Sequence, residues 1–187
     1  MSLHPDLESR LAAREAAATA ALTANRAAGR RVAIAESCTG GMVCTALTDI
    51  PGSSDVFSAG FITYSREAKQ SQLDVSTEIL DTFGEVALAT AWAMAAGALT
   101  KSDADVAVAI TGIAGPGGGS EKKPVGLVVF ARALRGQDPD DYFTQRIQFE
   151  SNDRAAIRHA ATLFALELLQ PEKDSLRPSE DTELPAP

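Results

Sequence analysis

The chain has 187 residues, 45% of them hydrophobic, enough for one ordinary globular domain with a sizeable core. Its formal net charge of −8 would repel a phosphate backbone, and no Lys/Arg stripe interleaved with aromatics is present, so nucleic acid is excluded as the main partner. No apolar run approaches the roughly 18 residues of a membrane helix, and Glu8, Arg10, Arg14 and Glu15 break the Ala-rich start where a signal peptide would carry its apolar core; a cytoplasmic protein with no membrane partner is expected.

In chain order, Leu3 to Ala28 is rich in Ala, Leu and charged residues and reads as one long helix ending near Gly29. "RVAIA" (Arg31 to Ala35) reads as a buried strand, followed by a turn, a helix over roughly Gly41 to Thr48, and a stop before Pro51-Gly52. Cys38 and Cys44 stand six residues apart, about 9 Å of helical rise, too far for a disulfide. "FSAGFITY" (Phe57 to Tyr64) is a second strand, Ser65 a helix N-cap after it, and a long helix covers roughly Val86 to Leu99. Three more strands are expected at Asp105 to Ile110, Val125 to Ala133 and Asp141 to Phe149, the last two antiparallel. From Asp153 a final helix aligns Ile157, Ala161, Phe164 and Leu168 on one face. The residues 171–187 hold four prolines and five acids against two bases, and read as a disordered acidic tail after a domain over 1–170. Five strands interleaved with helices imply an α/β fold: a three-layer α/β/α sandwich on a mixed, mostly parallel sheet.

The stretch "AESCTGG" (Ala35 to Gly41) places Ser37, Cys38 and Thr39 where a strand gives way to a helix, a junction at which backbone N–H groups stand free. A Ser-His-Asp triad lacks a histidine near that serine, because the chain has only His4 and His159, and no spacing of His, Cys and acids suggests a metal. A lysine or tyrosine remains as base for Ser37. Lys69 follows the second strand at the sheet edge to which the first delivers Ser37, and Tyr64 ends that strand; the alternative for Lys69 is a surface lysine making an i,i+4 contact. The loop "TGIAGPGGGSEKKP" (Thr111 to Pro124) has five glycines and lets backbone approach an anion closely. It is neither a Walker loop nor a dinucleotide fingerprint, and its plainer reading is a connector.

"AESCTGG", "DIPGSSDVFSAGFITYSREAK" (Asp49 to Lys69), "TGIAGPGGG" (Thr111 to Gly119), "KPVG" (Lys123 to Gly126) and "NDRAAIR" (Asn152 to Arg158) together closely resemble the CinA C-terminal domain family, across roughly residues 8–170. The resemblance implies a nicotinamide-nucleotide amidase, which converts nicotinamide mononucleotide to nicotinate mononucleotide and ammonia with a serine nucleophile, no metal and no cofactor. Carried over by motif, Ser37 is the nucleophile, Lys69 the base and Tyr64 its hydroxyl neighbour. Thr39 and the N–H groups around Gly40 and Gly41 are the expected oxyanion hole. Thr111, Gly112, Gly115 and Gly117 are expected to line the nucleotide site, with Arg154 on the phosphate. The expected partners are a pyridine nucleotide and further copies of the chain.

Many relatives carry "GAVS" where this chain has Gly84-Glu85-Val86-Ala87, and "GDR" where it has Asn152-Asp153-Arg154. The rival to a working amidase is a non-catalytic nucleotide-binding or protein-interaction module of the competence/damage-inducible type. A third reading makes Cys38 the nucleophile, which needs a lowered thiol pKa.

Overall fold

Alternate residues of the central strands feed two different cores. The computed structural model describes residues 5–177, in which β1 (Val32–Glu36), β2 (Phe57–Ile62), β3 (Val106–Gly112), β4 (Leu127–Leu134) and β5 (Phe143–Gln148) form one sheet in the order β2-β1-β3-β4-β5. β1 lies parallel to β2 and β3, and β4 runs antiparallel to both β3 and β5, so β4 alone points the other way. On one face Val32, Ile34, Val108, Ile110, Val128 and Phe130 meet α1 (Pro5–Ala27), α2 (Met42–Thr48) and α6 (Arg154–Leu168). On the other, Ala33, Ala35, Ala107, Ala109, Ala131 and Ala133 make a shallow floor for α5 (Leu88–Thr100), with α3 (Arg66–Leu73) and α4 (Thr77–Phe83) beside it. The result is the three-layer sandwich on a mixed sheet.

Small residues set how closely that second layer packs. A Cβ on Gly97 of α5 would lie 2.1 Å from the carbonyl oxygen of Leu73 at the end of α3, closer than atoms tolerate. Any side chain there would push α3, which carries Lys69, away from its seat.

The helix starts follow their local sequence. Ser65, Ser76 and Asp153 each accept a backbone N–H from the first turn of α3, α4 and α6. The expected apolar face of α6 is seated, with Ile157, Ala161 and Leu168 buried and Phe164 partly buried against the same core. α4 has no counterpart in the sequence reading: its seven residues offer too short a periodic pattern. The long helix begins at Leu88 rather than Val86, because Ala87 is extended and serves as an N-cap without a side-chain bond.

The C-terminal expectation needs revision at its near end. Residues 171–173 form a short 3-10 turn, and Asp174 pairs with both Arg30 and Arg132. Arg132, only 2% exposed on β4, also donates to the Lys173 carbonyl, and Leu176 packs on the core. The chain is therefore held against the domain through Leu176, its sixth residue past Gln170. Residues 178–187 of the expected tail, like Leu3 and His4 of the expected first helix, lie outside the described residues. No helix among the described residues is long and apolar enough to cross a membrane.

Candidate active site

Three parallel strands deliver their C-terminal ends to one place, because β1 is flanked by β2 and β3. Such a point, where connections diverge to either side, leaves a crevice above the central strand. Ser37 follows β1 directly, and its N–H donates to the Ile110 carbonyl of β3 across 2.9 Å. Thr63 follows β2, and its N–H bonds the Glu36 carbonyl at 2.8 Å.

Lys69, on the second turn of α3, is fully buried. Its Nζ donates to Ser37 Oγ at 3.1 Å and to the Thr63 carbonyl at 2.9 Å. The plainer reading of Lys69 as a surface lysine is overturned by this burial. Desolvation pushes the ammonium pKa below the ordinary lysine range, against the opposing pull of Glu85 and the Cys38 thiol. A lysine made easier to deprotonate and touching a serine hydroxyl is the arrangement that serine activation requires.

Tyr64 does not join that pair. It is 58% exposed, and its hydroxyl accepts a hydrogen bond from Arg154 Nη2 at 3.0 Å instead. Arg154 Nη1 donates to the Gly115 carbonyl at 2.7 Å, so the arginine ties the Tyr64 side chain to the glycine-rich loop. Thr111 is buried with its hydroxyl given to the Glu85 carbonyl at 2.8 Å. A Cβ on Gly112 would lie 2.7 Å from the Leu127 carbonyl and one on Gly115 2.6 Å from Val125, so the chain's own packing demands these glycines; Gly117 has open space. Lys123 anchors the far end of the loop by donating to the Phe83 carbonyl at 2.8 Å.

The oxyanion-hole expectation changes in its donors. Gly40 and Gly41 both have positive φ, 60° and 94°, and turn the chain back so that α2 starts facing Glu36. The Glu36 carboxylate, fully buried, accepts from the N–H groups of Gly41 (2.9 Å), Val43 (3.2 Å) and Cys44 (2.9 Å). The N–H of Gly40 is taken by the Ser37 carbonyl at 3.0 Å. Neither glycine therefore has a donor to spare, and their role is conformational. Thr39 is different: its N–H has no partner among the described residues, and its Oγ1 is buried without a hydrogen bond.

Two groups at the turn escaped the sequence reading. Glu36 was visible only as an acid ending an otherwise apolar strand, and Arg158 only as part of "NDRAAIR". Arg158 donates to the Cys38 carbonyl at 3.1 Å and to the Thr39 carbonyl at 2.7 Å. Burial works against Cys38 as a nucleophile: desolvation, with the Glu36 charge adding, lifts its thiol to about 12. Both cysteines are free.

A family model described as the CinA C-terminal domain matches residues 14–172. The nicotinamide-nucleotide amidohydrolase PncC of Escherichia coli K12 is 50% identical over 145 residues, which cover 77% of this chain and 85% of that protein. A CinA-like protein of Mycobacterium avium is 46% identical over 149 residues, covering 80% of this chain. The chain spans about a third of the length of that relative and of the competence-damage inducible relatives it matches similarly well. Among solved structures, the competence/damage inducible protein CihA of Agrobacterium tumefaciens superposes with a TM-score of 0.80 at 46% identity, over 90% of this chain and 97% of that one.

Proposed function

The chain belongs to the CinA C-terminal domain family, and on that premise we propose that it is a nicotinamide-nucleotide amidase in which Ser37 is the nucleophile and Lys69 the base. The observation that carries the reading is the 3.1 Å contact between a buried lysine and a serine presented at the sheet's crevice. Neutral Lys69 takes the Ser37 proton as Oγ attacks the carboxamide carbon of nicotinamide mononucleotide. The carbonyl oxygen becomes an oxyanion, for which Thr39 is the donor we assign, on the strength of its unclaimed N–H and orphaned hydroxyl. Collapse expels the amide nitrogen, protonated by Lys69, as ammonia and leaves an ester on Ser37. Water then gives a proton to Lys69 and its oxygen to the acyl carbon, which releases nicotinate mononucleotide and returns the proton to Ser37.

The Arg154–Tyr64 pair sits between the crevice and the glycine-rich loop, and Arg154 is the residue we assign to the substrate phosphate, exchanging part of its present bonding for a bidentate grip. Further copies of the chain and a cytoplasmic setting belong to the same proposal.

The test is ammonia release from nicotinamide mononucleotide by the wild type, Ser37→Ala and Cys38→Ala. Turnover in the wild type and Cys38→Ala with loss of about 10³-fold or more in Ser37→Ala supports the reading. Wild-type rates in Ser37→Ala overturn the nucleophile, and an inert wild type leaves the non-catalytic module as the reading.

A further inference from the structure

We propose that Glu36 and Arg158 are positioning residues, which grip the Ser37–Gly41 turn and the helix start after it, Glu36 through N–H groups and Arg158 through carbonyls, so that the serine hydroxyl stays aligned on Lys69. This rests on the amidase reading above and adds to it how the nucleophile is held.

The way α2 is capped makes the case for Glu36. α3, α4 and α6 are each capped by a short side chain at their own N-cap position: Ser65, Ser76 and Asp153. At α2 that position is Gly41, which has no side chain to offer. The cap comes instead from the last residue of β1, five positions earlier, through both carboxylate oxygens. Burying a carboxylate is costly unless its lone pairs are filled, and here three N–H groups fill them, while a capping side chain at Gly41 itself would be strained by its φ of 94°. What the longer route adds is a bracket: strand end and helix start are joined across the turn that carries Ser37. A capped α2 also has its positive end neutralised, so it is no free anion site.

Arg158 holds the carbonyls of the same turn. From α6 its guanidinium takes the Cys38 and Thr39 carbonyls, which fixes the Cys38–Thr39 and Thr39–Gly40 peptide planes. With the Ser37 N–H on Ile110 and the Gly40 N–H on the Ser37 carbonyl, the backbone that carries the hydroxyl is held in place beside Lys69. The N–H groups of Cys38 and Thr39 are the donors this clamping leaves unclaimed among the described residues.

The experiment compares Glu36→Gln, Arg158→Lys, Arg158→Ala and Ser37→Ala with the wild type, with melting temperature read beside kcat and KM. Nicotinamide mononucleotide and nicotinamide riboside serve as paired substrates. Misplaced by about an ångström, the serine should lose about 10- to 100-fold in kcat while KM stays within about threefold. Arg158→Lys should recover part of the rate, and added guanidinium ion should rescue Arg158→Ala without moving its melting temperature. If Glu36→Gln does not fold, the Arg158 variants decide. A folded Arg158→Ala with wild-type kcat overturns the proposal, as does a rise in KM for the mononucleotide alone, which would make Arg158 a phosphate ligand. If Ser37→Ala is inert while the clamp variants keep their kcat, only this inference falls; if Ser37→Ala turns over, the amidase mechanism falls with it.

Discussion

Lys69 and Ser37 stand 32 residues apart in the chain and 3.1 Å apart in space, with the lysine sealed from solvent. A lysine that must be neutral to act gives a kcat that climbs with pH and levels off above its depressed pKa. Lys69→Arg keeps a cation that stays protonated, so kcat should fall about 10²- to 10⁴-fold across pH 6 to 9. Near-normal kcat in that variant removes the general base. Stability carries the same signature: between the depressed folded pKa and the ordinary 10.5, the unfolded chain binds the extra proton, so the wild type gains stability with rising pH and Lys69→Met does not. Denaturation midpoints of both proteins across that window measure it.

Thr39→Val separates activity from stability. The hydroxyl is buried and unpaired, so replacing it with a methyl removes an unsatisfied group and leaves the melting temperature unchanged or higher. If Thr39 serves the oxyanion through that hydroxyl, kcat falls by about 10²-fold in the same variant. Unchanged kcat would leave its N–H as the sole contribution.

Deleting residues 171–187 should destabilise the protein, because it strands the buried Arg132 without Asp174. With the Asp174 side chain 42% exposed, the loss is about 1–3 kcal/mol, below that of a fully buried pair. Deleting only 178–187, a segment whose apolar residues besides proline are Leu184 and Ala186, should cost far less. Burial works to raise the Asp174 carboxyl, but the bonds from Arg30 and Arg132 outweigh it and hold the pKa low. Its contribution is present above the ordinary 3.8 and is lost as pH falls through the folded value, so the two deletions should converge in stability only in strong acid. Thermal melts of the three chains across acid pH decide this.

Ala87→Ser should stabilise. Ala87 is already in the extended N-cap conformation of α5 but lacks a side-chain acceptor, and a serine hydroxyl there gains about 1 kcal/mol. An unchanged denaturation midpoint would show that α5 draws its stability from packing alone. Of the two departures from "GAVS", the one at Ala87 leaves α5 without a side-chain cap.

The dyad was legible because two apolar strands with a helical crossover imply a common edge, and the motif put a serine and a lysine on that edge. Tyr64 was placed with them from adjacency to β2, but the backbone after Ile62 turns its ring outward to Arg154. Gly40 and Gly41 read as donors, since sequence shows that an N–H exists and not who already holds it; the Ser37 carbonyl holds that of Gly40 and Glu36 that of Gly41. Asp174 was lost in the tail's composition, because its partner Arg30 lies 144 positions away and no local window spans that.

Ser37 leads into α2 on one face of the sheet, while Lys69 reaches it from α3 on the other. Chemistry at Ser37 is thus an AND gate on two separately packed cores, open only while both layers are docked. Loosening either half parts the pair before the chain as a whole unravels, so inactivation on warming should precede or accompany the first melting event and never lag behind it.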